Sequence, residues 1–204
     1  MKPTAETDKL HPVILPVPEK DRRLGGKDKV ACLSRLARQA LAISARKSGV
    51  RLEVLSKAPN GAPLPTDNHY WSLTHKSTFV GGVVAMARIG IDIEKIRPVH
   101  PALFKKTADE IEWALTDEDA LQRFFRYWTA KEAVLKAAAV GLKNLSRCRI
   151  ARVTDARHLV IRYQDKNWPV EHFFFSNHIA SIVQTAPEID WAIVEGDPLE
   201  EAGQ

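Results

Sequence analysis

The sequence predicts an α+β protein, and three observations carry that class. Apolar residues recur at helical spacing through Val30, Leu33, Ala37, Ala40 and Leu41, and again through Phe124, Trp128, Leu135 and Ala139. β-type segments follow each helical stretch: 79–87 and 89–93 after the first, and several between 150 and 194 after the second. Each half therefore holds a helix followed by strands, an order that fits a two-fold duplication.

The elements follow in chain order. Residues 1–20 hold few periodic positions and read as a lead-in with a short strand at Val13–Val17. The first helix shows Arg35, Arg38, Arg46 and Lys47 on its polar face and stops at Gly49. Arg51–Leu55 reads as a strand, Pro59-Asn60-Gly61 as a turn, and Trp71–Thr74 as a short extended piece. Phe79–Ala87 and Ile89–Ile93 read as two strands joined by a tight turn. Pro98 and Pro101 interrupt the chain, and Leu103–Leu115 reads as helical. Thr116-Asp117-Glu118-Asp119 resembles a capping box that opens a helix running to about Val140, with Gly141 as C-cap. Strands follow at Ile150–Val153, His158–Tyr163, His172–Ser176, Ile179–Thr185 and Trp191–Val194, and the acidic tail with Glu195, Asp197, Glu200 and Glu201 reads as frayed.

Composition sets the class of chemistry. The chain has 204 residues, 45% hydrophobic and 27% charged, which suits one large or two small globular domains. No apolar run reaches the ~18 residues of a membrane span, and residues 1–10 have no signal-peptide core. The expectation is a cytoplasmic protein with no membrane partner. Cys32 and Cys148 lack the spacing of a metal or redox site and read as two buried thiols. The net charge of +5 suits a polyanionic partner, be it nucleic acid, a nucleotide cofactor or an acidic protein. There is no GxGxxG, no GxxxxGK[ST] and no GxSxG.

Two motifs narrow the chemistry. In Gly90-Ile91-Asp92-Ile93-Glu94, read as a strand, Asp92 and Glu94 share a face, roughly 7 Å apart by strand geometry. Two carboxylates so placed suit a hard cation such as Mg²⁺, or form a solvated or salt-bridged pair at a strand end. In Trp128-Thr129-Ala130-Lys131-Glu132-Ala133-Val134-Leu135-Lys136, Glu132 and Lys136 stand at i, i+4 on the shoulder of the apolar stripe. They suit a third acid and a phosphate-binding cation, or a surface pair worth about 0.2–0.5 kcal/mol. Lys131 falls near the middle of the stripe, where an anion must meet it. Thr74-His75 offers a phosphate donor or a satisfied loop histidine, whereas His172 and His178 read as structural and Phe173-Phe174-Phe175 as core.

Taken in order, Thr74-His75, Gly90 to Glu94 and Trp128 to Lys136 resemble the motifs of the 4′-phosphopantetheinyl transferase superfamily, of the two-lobed type that activates surfactin synthetase. The specific resemblance covers residues 72–142, and the third motif is the most specific. It implies two similar α+β lobes related by a pseudo-two-fold, 1–88 and 89–204, with the active site in the cleft between them. It implies Asp92, Glu94 and Glu132 as ligands of Mg²⁺, with Asp92, Glu132 and Lys136 as the catalytic set. Coenzyme A, the co-substrate, would meet Thr74, His75, Lys131 and Lys136. Ala62 stands where the family often has a lysine, and Lys57 is read as its substitute, with Arg23 and Lys29 adding positive charge. The partner implied is an acyl or peptidyl carrier protein rather than nucleic acid, and the chain is expected to be a monomer. A Mg²⁺-dependent nuclease would also use acids and a lysine, but it predicts a compact Glu-x-Lys in place of the Glu132 to Lys136 spacing. A non-catalytic relative that binds carrier proteins or nucleotides is the other alternative.

Overall fold

The computed structural model describes residues 9–195, which form a mixed α+β fold. Asp197, Glu200 and Glu201 of the tail lie outside them. The chain opens with strands β1 (Lys9–Leu10) and β2 (Val13–Pro16), a short helix α1 (Glu19–Arg22) and the long helix α2 (Gly26–Lys47). Strands β3 (Tyr70–His75), β4 (Phe79–Ala85) and β5 (Ile91–Lys95) come next. Helices α3 (Ala102–Thr107), α4 (Glu110–Trp113) and α5 (Ala120–Ala137) precede a 3₁₀ turn at Leu142–Arg147. Strands β6 (Arg149–Val153), β7 (His158–Tyr163), β8 (Lys166–Phe175), β9 (His178–Val183), β10 (Glu188–Ile189) and β11 (Ala192–Ile193) complete the described chain. None of these helices is long and apolar enough to cross a membrane.

Two larger sheets organise the molecule. A four-stranded sheet runs β11-β2-β4-β3, and a five-stranded antiparallel sheet runs β5-β9-β8-β7-β6. β1 and β10 form a small parallel pair. The late strands β10 and β11 thus pair with β1 and β2, so strand pairing crosses the division at residue 88 that the sequence suggests.

Each long helix lies unusually close to a strand, and glycine is the reason. α2 buries Leu33, Leu36, Ala37, Ala40 and Leu41 against the four-stranded sheet, while Val30 is exposed. A Cβ on Gly82 would stand 2.4 Å from the Leu41 backbone nitrogen. α5 buries Ala130, Ala133, Val134 and Ala137 against the five-stranded sheet. A Cβ on Gly90 would stand 1.9 Å from the Ala133 carbonyl oxygen. Residue 90 is glycine because helix backbone occupies the place of its side chain.

Several expectations change. Arg51–Leu55 forms no strand; Leu52 and Leu55 pack irregularly against Leu41 and Trp71, and Val54 is exposed. β4 and β5 are strands but not a hairpin: β4 pairs with β2 and β3, and β5 with β9. Leu103–Leu115 is two short helices, because Ala108 turns extended and Asp109 starts a new one. The capping box joins Asp109 to Glu112, while Asp119 alone caps α5. α5 ends at Ala137 with Ala138 as C-cap, Ala139 left-handed at φ +58° and Val140 N–H donating to the Leu135 carbonyl at 3.0 Å. Gly141 instead precedes the 3₁₀ turn. Both cysteines are free thiols, Cys148 buried and Cys32 only partly so.

Beneath α5, Lys131 meets its anion. Its Nζ donates to Glu112 Oε1 and to the Thr107 carbonyl, each at 2.6 Å, with the lysine 1% exposed. Glu112 Oε1 also accepts from Ile150 N–H at 2.7 Å. Burial pulls the Lys131 ammonium below its usual range, and the bond to Glu112 opposes that.

Two outcomes follow for thermal unfolding. Gly90→Ala forces Cβ into backbone that cannot rotate away, so the variant should lose about 3 kcal/mol or more. For a chain of this size that is a fall in Tm of roughly 6–12 °C. Lys131→Met removes the buried partner of Glu112 and leaves it only the half-exposed Arg149 as counter-ion, at 3.5 Å, so it should also cost about 3 kcal/mol. A Tm within experimental error of the parent in either variant contradicts the packing described.

Candidate active site

The site forms where the two larger sheets meet. β5 is an edge strand of its sheet, and β3 is an edge strand of the other. Side chains join them: Ile91 N–H donates to Ser72 Oγ at 3.2 Å and Ile93 N–H to Thr74 Oγ1 at 3.3 Å. The two hydroxyls sit at i, i+2 on β3, the same period as the amides they receive. Thr74 Oγ1 also donates to Asp92 Oδ1 at 3.0 Å. Lys136, from the last turn of α5, donates to the Ile91 carbonyl at 2.9 Å and to Asp92 Oδ1 at 2.7 Å. One carboxylate oxygen of Asp92 is thus held by two donors. The other, Oδ2, is buried and without a hydrogen-bond partner.

Around it the three acids converge. Asp92, Glu94 and Glu132 each present an oxygen within 4.8 Å of the others. Asp92 is 1% exposed, while Glu94 and Glu132 are half-buried. Burial, reinforced by the neighbouring charge of Asp92, pushes the Glu132 carboxyl up to about 7. Lys76, one residue past β3, donates to Glu94 Oε1 at 2.6 Å. Burial works against its ammonium, but Asp92, Glu94 and Glu132 outweigh that and raise its pKa. The donor set, all carboxylate oxygen with one buried oxygen unclaimed, fits a hard divalent cation.

Beside the acids opens a cleft of about 570 Å³, the size range of a small-molecule site. Lys57, His75, Lys136 and Lys143 supply polar groups to its lining, and Trp71 and Val140 supply apolar surface. Asn60 Nδ2 donates to the Ala139 carbonyl at 3.3 Å, tying the 57–63 loop to the end of α5. Burial and the Lys136 charge hold the His75 imidazole below its ordinary pKa. A cleft with three lysines suits an anionic ligand.

The residues singled out from sequence separate into three groups. Asp92, Glu94, Glu132 and Lys136 come together, and Lys57 and His75 join Lys136 along the cleft. Thr74 is 2% exposed, and its hydroxyl proton is committed to Asp92, so it orients the acid from below rather than facing a ligand. Lys131 does not face the cleft: the anion that its position demanded is Glu112. Arg23 pairs with Glu19 on the surface, and neither Arg23 nor Lys29 lines the cleft. Sequence reasoning missed Ser72, Lys76 and Lys143. The alternation Ser72-x-Thr74 and the adjacency of Lys76 to His75 were the available signals. His172 and His178 are structural, bonded to Ser181 Oγ and to Thr78 and Ser176 respectively. Phe173 and Phe175 pack beside Ile14 and Ile93.

Comparison with known proteins bears on the same stretch of chain. Residues 88–187 match the model of the 4′-phosphopantetheinyl transferase superfamily. The 4′-phosphopantetheinyl transferase psf-1 of Bacillus pumilus is 30% identical over 116 residues, covering 54% of this chain and 50% of the relative. A putative 4′-phosphopantetheinyl transferase of Haemophilus influenzae is 32% identical over 115 residues, covering 52% and 48%. The 4′-phosphopantetheinyl transferase HetI of a Nostoc species is 36% identical over 88 residues, covering 40% and 37%. The chain spans about half the length, or less, of the curated relatives it matches. The matched segment contains Asp92, Glu94, Glu132 and Lys136, so the similarity to the 4′-phosphopantetheinyl transferase superfamily falls on the residues that form the site.

Proposed function

We propose that this chain transfers 4′-phosphopantetheine from coenzyme A to a serine hydroxyl of an acyl or peptidyl carrier protein, releasing 3′,5′-ADP. One observation carries the reading: three carboxylates within 4.8 Å of one another adjoin a cleft lined by Lys57, His75, Lys136 and Lys143. The match of residues 88–187 to the superfamily model and the similarity to relatives named 4′-phosphopantetheinyl transferases support it.

The fold reading goes with it. Two similar α+β lobes, each a long helix seated on a sheet at a glycine, would flank the site, with residues up to 88 dominating one and residues from 89 the other. The matching close approaches at Gly82 and Gly90 support that pseudo-symmetry. The protein is proposed to act in the cytoplasm as a monomer, without nucleic acid or membrane.

Asp92, Glu94 and Glu132 would hold Mg²⁺, and Asp92 Oδ2 is the buried oxygen with no other claim on it. When bound, the ion offsets charge on the pyrophosphate and aligns it for displacement. The remaining chemistry belongs to the chain and its substrates. Lys136 carries positive charge to the boundary between the acids and the cleft, where it meets the pyrophosphate. His75 and Lys57, also in the lining, serve the 3′-phosphate end, and Lys143 adds a third ammonium. The carrier serine oxygen attacks the β-phosphorus, the bond from that phosphorus to the bridging oxygen breaks, and the electron pair leaves with 3′,5′-ADP. Glu132 accepts the serine proton directly or through a water, from its place beside Asp92 and Glu94.

Intact-mass analysis of apo acyl and peptidyl carrier proteins tests the reading. Each substrate carrier should gain the phosphopantetheine mass only with coenzyme A and Mg²⁺, and chelation should stop the reaction. Asp92→Ala should lower kcat/KM by a factor of roughly 10³ while the protein stays folded, and Glu132→Gln should lose turnover with coenzyme A binding intact. A panel of carriers that gains no mass, or an Asp92→Ala variant as active as the parent, overturns the assignment.

Calorimetry with coenzyme A tests the cleft. Lys136→Ala and His75→Ala should each weaken binding by roughly ten- to a hundredfold, the range expected for a charged hydrogen bond. Binding to the parent should weaken as salt rises. Undiminished affinity in both variants removes the cleft from consideration.

A further inference from the structure

Two lysines touch the acid cluster, Lys136 and Lys76, and they are held differently. Lys136 has two partners, the Ile91 carbonyl at 2.9 Å and Asp92 Oδ1 at 2.7 Å, and is fixed by both. Lys76 has one, Glu94 Oε1 at 2.6 Å, and its side chain is 31% exposed. Even with all three carboxylates ionised, their charge of −3 faces +2 from the two ammoniums, so the cluster is nearly neutral on its own. Three acids brought this close repel strongly unless cations offset them.

We propose that Lys76 is a built-in counter-cation of the acid cluster, which binds Glu94 when no divalent ion is present and yields it when one enters, and so sets how much divalent ion the site requires. This rests on the reading that Asp92, Glu94 and Glu132 hold such an ion. An ion that takes Glu94 Oε1 competes with Lys76 for that oxygen and displaces it. The displacement is feasible because Lys76 hangs on a flexible four-carbon stem with no second anchor. The released ammonium stays within reach of the cluster, where it continues to repel a divalent ion. Lys136 cannot be exchanged in this way, since its second bond is to the backbone of β5.

Divalent-ion affinity, measured without coenzyme A, tests this directly. Calorimetric titrations with MgCl₂ and MnCl₂ are compared for the parent, Lys76→Met, Lys76→Gln and Lys76→Arg. Lys166→Met is the control for net charge, since Lys166 opens β8, two strands away from β5. Lys76→Met and Lys76→Gln should bind the ion roughly tenfold tighter, because one unit charge at ion-pair range is worth about that factor against a divalent ion even at the dielectric of water. Lys76→Arg and Lys166→Met should stay within about twofold of the parent, as a retained or distant charge predicts. The Tm gain on adding Mg²⁺ should grow in Lys76→Met, following the affinity. Unchanged or weaker binding in both Lys76→Met and Lys76→Gln overturns the role of Lys76 and leaves the metal site standing. Absence of binding to the parent and to both variants overturns the metal site, and the inference with it.

Discussion

The unpaired edge of β5 is the constraint on which the rest depends. A strand edge presents amides and carbonyls that must find partners once buried. β5 is buried and has β9 on one side only. On the other side it meets no strand ladder but three side chains: Ser72 and Thr74 receive its amides, and Lys136 gives to its carbonyl. The same three contacts connect the four-stranded sheet, the five-stranded sheet and α5. Asp92 lies between two of these bonded residues and is oriented by a donor from each direction. The solution that satisfies an edge thus also aims a carboxylate.

Distance between α5 and β5 is the second constraint. Glu132 reaches Asp92 and Glu94 only because the helix backbone lies against Gly90. Any side chain at that position moves the helix, and with it both Glu132 and Lys136. Glycine in this motif is therefore a statement about spacing between two charged elements, made with no charge of its own. The crowding it permits has an electrostatic signature in Glu132, whose carboxyl rises under burial and the proximity of Asp92.

Much of the site was legible in the sequence because its residues come in short local patterns. Asp92 and Glu94 share a face by strand period, and Glu132 and Lys136 share one by helix period, so two pieces of local geometry contain four of the site's residues. Lys131 shows the limit of that reading. Its place in the apolar stripe correctly demanded an anion, but the anion is Glu112, whose relation to Lys131 is set by how α4 packs and not by any spacing along the chain. The hairpin expected between β4 and β5 failed for a similar reason. Both segments are strands, but their partners are chosen by sheet-to-sheet packing around Gly90, which local pattern does not encode. Gly141 was the natural helix stop, yet Ala139 takes the left-handed residue, since the Val140 amide reaches the Leu135 carbonyl without glycine.

The return of β11 to β2 has a consequence for biosynthesis. Val13 pairs with Ala192 and Ile14 with Ile193, so the first sheet contains one of the widest sequence separations in the described chain. During translation β2 can pair with β4 early, but its outer edge stays open until Ala192 and Ile193 have emerged. An exposed apolar strand edge is a template for pairing with other chains. Folding of the first sheet is therefore completed by its latest segment, and the interval between the two is when a nascent copy of this protein is most exposed to misassembly with its neighbours.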